Sequence, residues 1–136
     1  MLEISTVFLS FARLDLPEIA PFIPFLEDHD FAVWTPDAIQ AGQDWHAASQ
    51  EALTEAADHG FVLAFLSAAS LSSLWVKAEI AAFLAISKSG GRLILIDLEP
   101  VDHLVPMELQ PFQRLRLHVH DEATKRRMRL QALGLT

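Results

Sequence analysis

The chain has 136 residues, 51% of them apolar and 21% charged, which suits a single domain over residues 1–136 with one hydrophobic core and excludes intrinsic disorder. It contains no cysteine and no tyrosine, so disulfides, cysteine-bound zinc and thiolate nucleophiles are all ruled out. The net charge of −8 is uneven: residues 1–87 carry 2 cations against 12 anions and residues 88–136 carry 8 against 6, an acidic body that disfavours nucleic acid as a partner.

In chain order, Thr6 to Phe11 (TVFLSF) reads as a buried strand. Leu16 to Glu27 carries apolar residues at 19, 22, 23 and 26, a helical spacing, but Pro17, Pro21 and Pro24 predict a distorted or late-starting helix. Phe31 to Trp34 is a second short strand, and Thr35 to Gln43 is a loop punctuated by Pro36 and Gly42. Asp44 is the expected N-cap of a helix from Trp45 to Ala57 whose inward face is Trp45, Ala48, Ala52, Leu53 and Ala56. Phe61 to Leu66 (FVLAFL) is apolar without interruption, the mark of a central strand covered on both sides. Ser67 to Ser73 is expected to be a loop of small residues, followed by a helix from about Ser72 to Ser87 closed by Gly90 and Gly91. Arg92 to Leu98 (RLILIDL) is the fourth strand, residues 99–113 a proline-punctuated connection, Leu115 to Val119 a short edge strand, and Asp121 to Leu133 a final helix with Lys125, Arg126, Arg127 and Arg129 on its solvated face.

Alternating strands and helices imply right-handed crossovers, so the predicted fold class is α/β: a flavodoxin-like three-layer sandwich with a central parallel sheet of about five strands and helices on both faces. In such a sheet the ligand sits at the carboxyl ends of the strands, which directs attention to the segments after Phe11, Trp34, Leu66 and Leu98. The longest uncharged apolar run, Ile80 to Ile86, is far shorter than the roughly 18 residues of a membrane span. Met1 to Ser10 lacks the basic start and apolar stretch of a secretory signal, so the expected location is cytoplasmic, away from membranes.

Familiar α/β chemistries are missing their residues. The five glycines, at 42, 60, 90, 91 and 134, spell neither a G-x-G-x-x-G nor a Walker loop. A phospho-acceptor receiver needs acidic residues after the first and third strands, where this chain has Ser10-Phe11 and Ser67-Ala68. His118 and His120 alternate along a strand and would share a side, but no third ligand accompanies them and no metal site is expected.

The segment Ser72-Ser73-Leu74-Trp75-Val76-Lys77-Ala78-Glu79 stands out. Trp75 and Glu79, four apart, share a helix face that Phe83 continues, and Glu79 opens a charge-free run. A carboxylate in such company is partly desolvated unless it faces a cleft; the plainer alternative is an acidic residue placed near a helix start by the helix dipole.

With these residues in view, the chain resembles the TIR (Toll/interleukin-1 receptor) domain, and its bacterial members more than animal receptors, over roughly residues 4 to 133. The likeness rests on Val7-Phe8-Leu9-Ser10-Phe11 followed by Arg13 and Asp15; on Val33-Trp34 leading through Asp37, Ile39 and Gly42 to Trp45, the family's BB loop; and on Val62-Leu63-Ala64-Phe65-Leu66-Ser67 followed by Leu71, Ser73, Trp75-Val76 and Glu79. The chain departs from the family at Asp28-His29-Asp30, where a glycine turn is usual, and at Ala12, where some active members carry a basic residue.

The resemblance implies an NAD nucleosidase: an enzyme that cleaves the nicotinamide–ribose bond to give nicotinamide and ADP-ribose or a cyclic form, with NAD as substrate and no cofactor. Glu79 matches the family's catalytic glutamate; Phe11, Arg13 and Trp75 would bind substrate, and Asp37 and Gly42 would belong to the BB loop used in assembly. Self-association with other TIR domains, as a homo-oligomer or filament, and a fused or associated sensor domain are the implied partners, and bacterial immunity or virulence the implied setting. The alternative is a non-enzymatic TIR–TIR adaptor module in signalling.

Overall fold

The computed structural model describes residues 6–35, 45–86, 92–112 and 114–116. Five strands, β1 (Thr6–Ser10), β2 (Ala32–Trp34), β3 (Gly60–Leu66), β4 (Arg92–Asp97) and β5 (Arg114–Arg116), form one sheet in the order β2-β1-β3-β4-β5, every neighbouring pair parallel. This is the expected flavodoxin-like arrangement. The chain leaves β1 toward one edge and returns at β3 to build toward the other, so the topological switch point lies between β1 and β3.

Strand alternation sorts side chains to the two faces. On one, Val7, Leu9, Phe61, Leu63, Phe65 and Ile96 pack against Ile19 of α1 (Leu16–Ile19) and Phe22 and Leu26 of α2 (Phe22–Asp28). On the other, Phe8 and Val62 meet Ala52, Leu53, Ala56 and Ala57 of α3 (Trp45–His59) and Phe83 of α5 (Leu74–Ile86). Ala64, Leu66 and Leu95 on that same face pack under Val76 and Ile80 of α5 and under Val101, Val105 and Leu109 of the segment after β4. All seven residues of β3 except Gly60 are buried, which is why its sequence is apolar without a break. Gly60 itself sits where a Cβ would collide with the Thr6 carbonyl of the paired strand.

The prolines divide the first helical stretch instead of merely delaying it. After a 3₁₀ turn at Arg13–Asp15, Pro17 lies in the first turn of α1, Pro21 caps α2, and Pro24 falls in the first turn of α2, where a backbone N–H has no helical acceptor to lose.

Two expectations are corrected. Ser67 to Ser73 is not a loop: it contains α4 (Ala68–Ser72), capped by Ser67, whose hydroxyl accepts from the Ser70 N–H while the Ser70 hydroxyl bonds back to the Ser67 backbone. Accordingly α5 starts at Leu74, after Ser73 turns extended, later than the expected Ser72. The edge strand begins one residue early, at Arg114, and pairs through Arg116. The expected positions 117–119 of that strand, the helix from Asp121 to Leu133, its basic run, His118 and His120, the Gly90-Gly91 stop, the Asp44 cap and the side chain of Trp45 lie outside the described residues. No helix among the described residues is long and apolar enough to cross a membrane.

Candidate active site

The carboxyl ends of β1 and β3 open onto the 3₁₀ turn and onto α4 and the start of α5. Ser10, the last residue of β1, shares the face of Phe8 and points toward α5. There its hydroxyl donates to Glu79 Oε1 at 2.9 Å. Ser10 is fully buried and Glu79 is 4% exposed. Oε2 of Glu79 is buried with no hydrogen-bond partner among the described residues.

Glu79 is the sixth residue of α5, in its second turn, so neither the helix dipole nor a capping role accounts for its place. Desolvation pushes its pKa up from 4.5 to about 7, against smaller opposing contributions from the Ser10 hydroxyl and the Trp75 indole. None of the described groups that shift it is a cation. Trp75, one turn earlier and half-buried, thus shares with Glu79 the face that the sequence predicted.

The other predicted site residues fall in different settings. Arg13 is exposed on the 3₁₀ turn directly after β1. Phe11 is 6% exposed and packs in the core cluster of α1 and α2, so its ring offers almost no open face to a ligand. Asp37 and Gly42 lie outside the described residues. Two cavities formed by described residues leave Glu79 aside. One, of about 320 Å³, is lined by Thr6, Trp34, Ala48, Glu51, Ala52 and Glu55, and a narrow one of about 50 Å³ runs between α5 and the Pro106–Leu109 segment.

Ser10 and Asp15 were missed as partners in the sequence. The strand alternation of β1 carried the signal for Ser10, because it places position 10 with Phe8 and opposite Leu9. Asp15 accepts from the Ser67 hydroxyl at 2.5 Å and so ties the turn after β1 to the cap of α4 after β3.

A sequence profile of the TIR domain matches residues 7–130, nearly the whole chain. The chain belongs to the TIR domain family. Comparison with curated proteins returns no match. TIR domains act in signalling and adaptor complexes, some cleave NAD, and they commonly associate with other TIR domains. In this TIR domain the first and third landmark segments of the sequence become β1 and β3, and Glu79 comes to rest at the switch point between them.

Proposed function

We propose that this TIR domain is an NAD glycohydrolase of the bacterial NAD-cleaving type, with Glu79 as its catalytic carboxylate. The observation that carries the reading is a buried carboxyl group without a cationic partner among the described residues, at the carboxyl ends of β1 and β3 and one helical turn from an indole. A structural carboxylate in such a place is ordinarily paired with a cation, because an unpaired buried charge is costly.

The chemistry needs only one carboxylate. Ordinary glycosidases use two, one of them to protonate a poor leaving oxygen. The nicotinamide of NAD is already a pyridinium: when its bond to the ribose C1′ breaks, the electron pair goes to the ring nitrogen and a neutral base departs. Positive charge develops on the ribose, and a fixed anion at Glu79 stabilises it by about 3–4 kcal/mol, or 10²–10³ in rate. Water then adds to C1′ and loses a proton, giving ADP-ribose; attack by a group within the same molecule gives a cyclic form. In this reading Trp75 supplies a flat face for the nicotinamide or ribose, and Arg13, exposed on the turn after β1, meets the pyrophosphate. Activity depends on self-association, with residues of the BB loop, Asp37 and Gly42 among them, completing the site of a neighbouring copy; a sensor domain, fused or separate, triggers assembly in bacterial immunity or virulence.

The second reading is a TIR–TIR interaction module without catalysis. It is favoured by the strongly exposed Leu14, Leu74 and Met107, which follow β1, β3 and β4 in the chain. Nicotinamide release from NAD, followed by chromatography with and without a templating surface, separates the two. Catalysis predicts release that Glu79→Gln abolishes. Equal turnover by both proteins removes Glu79 from the mechanism, and no turnover under any clustering condition leaves the interaction module.

A further inference from the structure

We infer that Ser10 is the positioning residue for Glu79: its hydroxyl engages Oε1, fixes the rotation of the carboxyl group, and leaves Oε2 as the oxygen directed to a ligand. The inference rests on the reading of Glu79 as the carboxylate of the site and names the group that makes it fit for that task.

The geometry argues for it in three steps. Ser10 ends β1, with no freedom to move: its backbone is paired in the sheet with Ala64 of β3, and its side chain is fully buried. A hydroxyl held by a central strand is a fixed donor, whereas Glu79 has three rotatable bonds on a helix surface. The 2.9 Å bond therefore positions the carboxylate, not the serine. Among the described residues Ser10 is the donor in full hydrogen-bond geometry, on Oε1, while the Trp75 indole lies close enough to favour the anion more weakly; Oε2 is buried with no partner in that geometry. A buried acceptor left open in this way is what a bound cation-like centre would satisfy.

The same bond favours the charged form that the proposed chemistry requires, since a hydroxyl donates more strongly to a carboxylate than to a neutral acid. No other charge among the described residues takes that role. α3, packed against α5, presents Glu51, Glu55, Asp58 and His59 to solvent; α4 and β1 contribute no titratable side chain; Lys77 on α5 itself is exposed. Asp97, on the same face of the sheet, is engaged by Arg114.

The test is a carbon-detected NMR titration of the Glu79 carboxyl in the full chain, run beside the pH profile of nicotinamide release. In Ser10→Ala the Glu79 midpoint is expected to rise by about one pH unit, while Ser10→Thr, which keeps the hydroxyl, restores it. Nicotinamide release at pH 7 is expected to fall roughly fivefold in Ser10→Ala, the deficit shrinking at higher pH as Glu79 ionises. Should Ser10→Ala lose cooperative unfolding, the near-isosteric Ser10→Cys, a weaker donor, is expected to show a smaller rise. An unchanged Glu79 midpoint in the folded variant overturns the inference, because a serine with a merely structural role lowers stability without moving that titration. A shifted midpoint in a protein that never releases nicotinamide leaves the Ser10 assignment standing and removes the enzymatic reading alone.

Discussion

The Asp15 carboxylate and the Ser67 hydroxyl, 52 positions apart in the chain, are joined by a hydrogen bond of 2.5 Å. Ser67 uses the same oxygen to cap α4, so a single side chain secures both the helix start after β3 and the turn after β1. The two bonds hold together the segments that flank the switch point. Asp15→Ala is expected to cost about 1–2 kcal/mol, and Ser67→Ala more, about 2–3 kcal/mol, since it also removes the cap. Urea denaturation measures both; equal losses would mean that the cap contributes nothing.

Glu79 sets a conflict between stability and charge. Its pKa rises from 4.5 to about 7 on folding. Below pH 4.5 both folded and unfolded chains hold the proton. Between 4.5 and 7 the unfolded chain releases it while the folded one keeps it, so stability falls as pH rises through that window, by about 3 kcal/mol, and is level above it. Glu79→Gln has no proton to lose. Its stability relative to the parent chain is expected to grow from pH 5 to pH 8 by most of that amount, even as catalysis disappears. A stability difference that does not vary with pH would contradict the buried titration.

The sign is opposite for activity. The anion is the stabilising form, so nicotinamide release is expected to increase with pH around a midpoint near 7, by about tenfold between pH 6 and pH 8. An acidic optimum would indicate that the neutral carboxyl group acts instead, as a proton donor.

The sheet was legible because its strands are buried on both faces: TVFLSF and FVLAFL admit few other readings, and each became a central strand. The pairing of Trp75 and Glu79 was equally legible, since helical spacing depends only on local geometry. α4 was hidden. Its residues Ala68–Ser72 are mostly small, with two serines among the five, and read as a turn, and its capping box closes with Ser70 in place of the usual Glu or Gln. The Ser10–Glu79 bond spans 69 positions and needs the helix crossing over the sheet before it exists, so no local pattern announces it. Phe11 was misplaced for a related reason: its position after β1 was visible, but the direction of its ring is set by α1 and α2.

β5 illustrates how tertiary contacts overrule an unpromising sequence, Arg-Leu-Arg. Arg114 reaches Asp97 of β4 at 3.2 Å, where the Asp97 side chain is 1% exposed, and both Arg114 and Arg116 bond Asp102. The two arginines are not equivalent. Arg114→Ala takes the paired cation away from a buried carboxylate and is expected to cost about 3 kcal/mol, whereas Arg116 and Asp102 are more than half exposed and Arg116→Ala is expected to cost less than about 1 kcal/mol. Thermal unfolding of the two variants distinguishes them, and equal shifts would mean that the Asp97 pair is not the anchor of this edge.

Asp30 ends the Asp28-His29-Asp30 segment, and its backbone shows the cost of a turn made without glycine. At φ 66° it is the only non-glycine residue with positive φ among the described residues. It closes α2 in a Schellman arrangement: the Asp30 N–H bonds the Glu27 carbonyl at 3.1 Å, and the Phe31 N–H bonds the Leu26 carbonyl at 3.1 Å, with Phe31 packed on the cluster that holds Leu26. The left-handed conformation costs a side-chain-bearing residue about 1 kcal/mol, less for Asp than for most, and glycine adopts it without penalty. Against that, glycine enlarges the conformational freedom of the unfolded chain. The strain outweighs the entropy where the turn is fixed by two backbone hydrogen bonds, as it is here. Asp30→Gly is therefore expected to stabilise the domain by about 0.5 kcal/mol and Asp30→Val to destabilise it by more than 1 kcal/mol, roughly, because a β-branched residue tolerates the left-handed region least. Urea midpoints for the pair decide the matter: if Asp30→Gly unfolds earlier than the parent chain, then the aspartate side chain contributes to the turn beyond tolerating its geometry.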